Sequence, residues 1–310
     1  MRTTRAWRAA VVGAALAALV PGCTLEDRSG GADGEGATDE GRVLAVKVDN
    51  VGPARPQTGL EAADVVYVER VEAGLSRLLA LYARRLPPVV GPVRSARETD
   101  LELLRQFDRP ALAFSGAQSK LLPLIDGAPL RPLPPGKAPG RAYFRDGARP
   151  APHNLYLRPG DLGARTDASG LESTGFRFGQ RPAGGAPETR RTVRFPSASF
   201  TFTWVEYEGR WHIAMDGTPA RTASGAALTA ATVVIQRVDI RDSRFHDRSG
   251  NASPLTRTVG SGTARVLRDG RSYEARWRRG TARDGTEFTT PKGGPLRFAR
   301  GPVWVVFTKA

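Results

Sequence analysis

The chain has 310 residues, 40% of them hydrophobic, with a formal net charge of +15 and a pI near 10.9. That is long enough for one large or two ordinary domains with a sizeable core. Its single cysteine, Cys23, excludes an internal disulfide framework and any multi-cysteine metal site.

Two readings of the positive charge stand side by side. One is a polyanionic partner. The other is GC-rich coding, since only five of the 46 basic residues are lysines. Clustering at a site, rather than bulk charge, must therefore carry any binding argument.

At the N-terminus, Arg2, Arg5 and Arg8 precede an apolar run from Ala9 to Val20. These are the charged and apolar regions of a signal peptide, and the run is shorter than a membrane span needs. It ends in Leu19-Val20-Pro21-Gly22-Cys23, which is similar to the bacterial lipobox. Residues 1–22 are thus expected to be a lipoprotein signal peptide. A lipid such as palmitate on Cys23 would then hold the protein to the extracytoplasmic face of the cell membrane. That location argues against a nucleic-acid partner. Residues 23–41 are acidic and Gly-rich without apolar periodicity, and read as a flexible tether.

The first folded half, 42–180, begins with a strand over Val43–Asn50 and a Gly/Pro loop over 52–60. A β-rich run follows over Ala63–Glu72. Ser76–Tyr82 is compatible with strand or helix, with strand favoured because Pro87-Pro88 comes soon after. Gly91-Pro92-Val93-Arg94-Ser95-Ala96-Arg97-Glu98 then breaks and restarts the chain. Ser95 with Glu98 predicts a capping box opening a helix over 98–108. The free N–H groups at such a helix start would favour an anion beside Arg94 and Arg97. A strand over 110–116 and a short helix over 119–125 come next. The stretch 129–152 is Pro- and Gly-rich and reads as a surface loop, returning to Pro152-His153-Asn154-Leu155-Tyr156.

Four ordered motifs resemble a known family: Arg55-Pro56-Gln57-Thr58-Gly59-Leu60, Ala63-Asp64-Val65-Val66-Tyr67, Gly91-Pro92-Val93-Arg94-Ser95-Ala96-Arg97 and Pro152-His153-Asn154-Leu155-Tyr156. Together they are similar to the YerB-like lipoproteins of Gram-positive bacteria, which carry two consecutive domains of unknown function of the DUF3048 type. Glu72 and Arg77 also fit that pattern. The resemblance spans roughly residues 42–308. It implies a lipoprotein with an α/β first domain and a β-rich second domain, and supplies no activity.

Gly and Pro cluster over 180–187, marking a boundary before a β-rich domain at 190–310. Its signals are alternation over 200–207, turns at Glu208-Gly209 and Asp216-Gly217, a strand over 232–238, a hairpin around Arg268-Asp269-Gly270-Arg271, and a closing strand over 302–307. Short strands at this spacing predict an antiparallel sandwich or half-barrel. The fold class is α+β overall, an N-terminal α/β layered domain followed by a mainly antiparallel β domain.

Arg55, Arg77, Arg94 and Arg97 form a candidate anion site, since guanidinium forks match carboxylate and phosphate oxygens. The competing reading is internal ion pairing with Asp49, Asp64, Glu69 and Glu72. His153 with Asn154 offers a general base or a further anion donor, or else a loop anchor. His153 is the candidate catalytic residue. No spacing motif supports a metal, no cofactor is expected, and Ser115 lacks a nucleophile elbow. His212, in a strand, and His246, in a polar loop, read as structural. The tryptophans Trp204, Trp211, Trp277 and Trp304 are most simply core.

The leading expectation is an extracytoplasmic lipoprotein that binds an anionic cell-envelope ligand, a phosphate- or carboxylate-bearing glycan. The alternatives are a hydrolase or transferase acting on envelope polymers and a protein-interaction module of an envelope complex.

Overall fold

Apolar runs too dense for simple alternation belong in strands covered on both faces, and the first half supplies three of them side by side. In the computed structural model, which describes residues 42–247 and 249–310, these are β1 (Leu44–Asp49), β2 (Val65–Arg70) and β3 (Ser76–Tyr82). β3 pairs antiparallel with both β1 and β2. Helix α1 (Glu98–Leu104) leads to β4 (Ala111–Ala113), which lies parallel to β1. Helix α2 (Leu122–Asp126) leads to β5 (Arg131–Leu133), parallel to β4. β6 (Tyr143–Arg145) and β7 (Leu155–Leu157) form a small hairpin. The stretch 129–152, expected to be loop throughout, therefore contains two short strands. Register with β4 and β7 holds them in place despite their proline content.

The second half opens with β8 (Ala186–Pro187), β9 (Arg190–Phe195), β10 (Ala198–Val205), β11 (Arg210–Met215), β12 (Thr218–Pro219) and β13 (Thr229–Ala230). β9 to β13 make a separate five-stranded sheet. Then come β14 (Thr232–Val238), the hairpin β15 (Ile240–His246) and β16 (Ala252–Thr256), β17 (Gly260–Arg268), β18 (Arg271–Arg279), β19 (Glu287–Thr289) and β20 (Val303–Lys309). The Asp216-Gly217 and Asp269-Gly270 turns have positive φ at both residues (51° and 82°, 51° and 66°). That is the two-residue geometry matching strand twist.

The two halves share one eleven-stranded sheet, ordered β19-β18-β17-β14-β20-β2-β3-β1-β4-β5, with β8 alongside β18. β20 lies parallel between β14 and β2, with Val65 opposite Val303 and Val68 opposite Val306. The last strand of the chain thus joins the second half to the first. Instead of a free-standing sandwich, half of the β-rich region continues the first half's sheet.

Both faces of that sheet are buried. On one face the small sheet packs Phe200, Phe202, Trp211 and Ile213 against Val46, Val66 and Trp304. On the other, Leu103 and Leu104 of α1, Ile125 of α2, and Phe245 and Phe298 cover Ala45, Leu79 and Val305. Trp211, Trp277 and Trp304 are core, as expected, while Trp204 is half-buried and packs at a tilt against Trp211 (5.5 Å between ring centroids).

Candidate functional site

The segment 90–96 is bonded on several sides, with single bridges at Val90, Gly91 and Val93. Its backbone meets the end of β1 (Asp49 N to Pro92 O 2.9 Å, Arg94 N to Lys47 O 2.8 Å) and the loop after β4 (Ser115 N to Arg94 O 3.0 Å, Ala96 N to Gly116 O 3.0 Å). It also meets β7 (Val93 N to Leu155 O 2.6 Å) and the first motif (Thr58 N to Gly91 O 2.9 Å). Three of the four motifs therefore converge through main-chain bonds. Their loops also share cis X–Pro bonds at Arg55-Pro56, Gly91-Pro92 and Ala151-Pro152. The remaining motif ends β3: Asp64 accepts from the Ala83 and Arg84 amides (2.8 and 3.0 Å) and pairs with the Arg84 side chain.

Gly91 is where the convergence is tightest. A Cβ there would lie 2.6 Å from Tyr156 Cδ1 and 3.1 Å from Leu155 O. Gly91→Ala must displace a buried ring that stacks on Phe144. The expected loss is about 1–3 kcal/mol, read as a lower urea midpoint with an unchanged slope.

The pairing of this segment also corrects the helix start. Because main-chain bonds to β1 and to the loop after β4 hold residues 92–96 outside the helix, Ser95 does not cap. The N-cap is Arg97, whose amide donates to Asp100 Oδ2 at 2.6 Å. Helix α1 is only seven residues long and ends at Leu104 rather than 108. An anion site here must rest on side chains, not on a helix dipole.

Those side chains line a cleft of about 1250 Å³. Arg77 from the start of β3, together with Arg94 and Arg97, faces into it beside the Ser95 and Ser115 hydroxyls, which lie 3.5 Å apart. Two of the arginines already have acids. Arg97 grips Glu72 with two nitrogens (2.6 and 2.7 Å), and Ser253 from β16 donates to the same carboxylate. Burial alone would raise the Glu72 carboxyl, but Arg97 and Ser253 pull it down to about 2. Arg94 pairs with Asp49 at 2.9 Å.

Arg77 differs. It donates to the Ser95 carbonyl (3.3 Å), and among the described residues no carboxylate lies within ion-pairing distance of it. Burial, then the neighbouring Arg97, lowers its pKa to about 10, which leaves it cationic at neutral pH.

The other candidate residues lie elsewhere. Arg55 is not in the cleft. It bonds Asn50 (Oδ1 3.1 Å, O 2.8 Å), Met215 O (3.3 Å) and Asp216 (2.8 Å). Asn50 turns to the small-sheet side, and Arg55 follows it, tying β1 to β11. His153 sits behind Arg94, with Nδ1 2.8 Å from the same Asp49 oxygen, and does not line the cleft. Asn154 is buried, and its side-chain oxygen accepts from Arg145 at 2.7 Å, so it anchors the β6–β7 hairpin instead of facing a ligand. His246, expected in a loop, ends β15 and lines the cleft. His212 pairs with Glu208 at 2.7 Å. Cys23 lies outside the described residues.

One cluster was not foreseen. Lys47 is fully buried between Glu69 (2.5 Å) and Asp100 (2.7 Å), joining β1, β2 and α1 beneath the arginines. Burial raises the Glu69 carboxyl to about 7, Lys47 opposes this, and Asp100 adds to it. The sequence signal was a lone lysine in the apolar run Val43–Val48. Ser253 and His246 carried none, because only folding brings the β15–β16 hairpin to the cleft.

The chain matches two family descriptions, "Protein of unknown function (DUF3048) N-terminal domain" over residues 29–172 and "Protein of unknown function (DUF3048) C-terminal domain" over 191–305. It is 46% identical over 69 residues, 22% of its own length, to the Bacillus subtilis (strain 168) protein named "Putative lipoprotein YerB". That alignment spans 21% of the relative's length. The crystal structure of the YerB protein from Bacillus subtilis has the same fold, with a TM-score of 0.72, 20% identity, and coverage of 88% of this chain and 92% of that one. With both domain descriptions matched in order and the fold shared, the chain belongs to the DUF3048 family.

Proposed function

We propose that this protein is a membrane-anchored extracytoplasmic lipoprotein whose cleft binds an anionic cell-envelope ligand, a phosphate- or carboxylate-bearing glycan. The observation that carries the reading is the meeting of Arg77, Arg94 and Arg97 in one cleft, with the Arg77 fork not committed to an acid. Guanidinium forks in a partly dry site favour oxyanions. The lipid anchor is supported by the lipobox-like run before Cys23 and by the lipoprotein name of the similar Bacillus subtilis protein.

The test is retention of the full chain on purified cell-wall fractions. Arg77→Gln with Arg94→Ala should reduce retention on the order of tenfold or more, and His153→Ala should weaken it less. Retention equal to wild type in the double variant would reject the reading. Cys23→Ala should move the protein from the membrane to the soluble fraction.

A hydrolase or transferase is the second reading. It draws on the His153–Asp49 contact at 2.8 Å, since a carboxylate on one ring nitrogen steadies an imidazole as a general base. An envelope polymer left chemically unchanged after long incubation would count against it.

A further inference from the structure

The charge balance of the cleft narrows the ligand further, resting on the anion-binding reading above. In the innermost part, three arginines face two carboxylates. Glu72 takes Arg97, and Asp49 takes Arg94. One positive charge is left over, on Arg77. The geometry agrees with this count. Two nitrogens of Arg97 are spent on Glu72, and its third bonds Ala96 O at 3.0 Å. Arg77 donates only one nitrogen, to Ser95 O. Its fork can hold one oxyanion, with the Ser95 and Ser115 hydroxyls beside it.

The other charged side chains along the cleft add no surplus of positive charge. Glu98, bonded by Ser243, and Asp247, in the turn after β15, are acidic. Arg145 is basic and is held on Asn154. His246 is exposed at the wall. Beyond the innermost part a second negative charge on the ligand would thus meet two carboxylates, Glu98 and Asp247, against one cation, Arg145.

The remaining walls are uncharged. Tyr143 and Phe144, both half-buried, line them, while Phe245 is core with only its edge at the wall. Phe144 is fixed by stacking on Tyr156 (5.8 Å between ring centroids) and by Arg158 on its ring (4.0 Å). Flat, fixed aromatic rings suit the apolar faces of sugar rings. The volume, about 1250 Å³, exceeds the roughly 300–1,000 Å³ usual for one small molecule, so the cleft has room for more than one sugar unit.

We infer that the cleft selects a neutral glycan segment bearing one negative charge, a single carboxylate or a single phosphodiester, in preference to a polyanion or a doubly charged phosphomonoester. The Arg77 fork holds the charge and the aromatic walls hold the neighbouring sugars.

The test is calorimetric titration of the full chain with five probes. These are a neutral trisaccharide, the same trisaccharide with one carboxylate, with one internal phosphodiester, or with a terminal phosphomonoester (about −1.5 to −2 at pH 7), and polyglutamate. At least one singly charged probe should bind about tenfold or more tighter than the neutral one, and the better of the two names the source. The phosphomonoester and polyglutamate should bind no tighter than that probe. Arg77→Gln should abolish the gap between charged and neutral probes, and Arg77→Lys should restore part of it. The ranking on the wild-type chain tests the inference even where a variant folds poorly. Tighter binding of the phosphomonoester or polyglutamate would overturn single-charge selection and leave anion binding intact. Equal binding of charged and neutral probes would reject both.

Discussion

Lys47→Met is expected to lower the unfolding free energy by about 3–5 kcal/mol, the range for removing one partner of a buried ion pair. Lys47 and Asp100 are fully buried, and Glu69 is 1% exposed. Removing the cation leaves two carboxylates facing each other in a dry layer. Asp100 is also needed by the Arg97 amide, so it cannot turn away without loosening the start of α1.

The defect has a pH signature. The folded Glu69 carboxyl titrates near 7, above its ordinary 4.5, and without Lys47 it moves higher. A carboxyl with a raised folded pKa favours the folded state below its unfolded pKa. That contribution is lost as pH rises through the folded value. Urea unfolding should therefore show a smaller loss at pH 5 than at pH 8. Adding Glu69→Gln to Lys47→Met should recover part of the stability. A loss that is the same at both pH values would mean that Glu69 is not the group left uncompensated.

Arg279→Met is the second large effect expected, also about 3–5 kcal/mol. This fully buried side chain of β18 donates to Glu102 O (3.0 Å) and Leu103 O (3.3 Å), near the end of α1. It also donates to Ala282 O (2.6 Å), Asp284 O (2.9 Å) and Thr258 Oγ1 (2.7 Å). Methionine fills space but removes the shared donor. Leu103 O keeps Gln106 Nε2 (2.8 Å), and each remaining acceptor that water cannot reach costs roughly 1–3 kcal/mol. The effect should also travel. Since α1 begins at Arg97, hydrogen exchange should speed up at the amides of α1 as well as in β17 and β18. Exchange changes confined to residues 258–284 would show that Arg279 does not hold the helix.

Both predictions concern residues whose neighbours were not legible in the sequence. Lys47 was visible as a charge inside an apolar run, but its partners lie 22 and 53 residues away. Arg279 reads as one more arginine in an alternating strand, and its acceptors near the end of α1 lie 176 and 177 residues away. Local pattern reports which face a side chain takes, not what waits on that face. The Ser95 cap shows the same limit. Ser-x-x-Glu is a good local signal, but main-chain pairing of residues 92–96 with β1 and the loop after β4 outweighs one side-chain cap.

The elements that local chemistry controls were read well. The Asp-Gly turns, the β17–β18 hairpin and the buried tryptophans follow from residue type and period alone. The arginine cluster was legible in part. Arg94 and Arg97 are two residues of one motif with Arg77 nearby in the chain, and all three reach the cleft. Arg55, expected beside them from a separate loop, does not reach the cleft. Side chains alternate between faces along β1, so Asn50, and Arg55 bonded to it, lie on the opposite side of the sheet from Asp49.

By itself, the sequence determined the α+β class, the strand-rich second half and three arginines near one loop, because period and turn residues act over a few positions. Only the tertiary structure decided that β20 returns to pair with β2 and makes one sheet of two halves. It also decided that Glu72 and Asp49 neutralise Arg97 and Arg94 while Arg77 keeps its charge. Those outcomes depend on which groups share a dry space, where an ion pair or an unpaired cation has its largest effect. Sequence spacing carries no information about that sharing once the partners come from different strands.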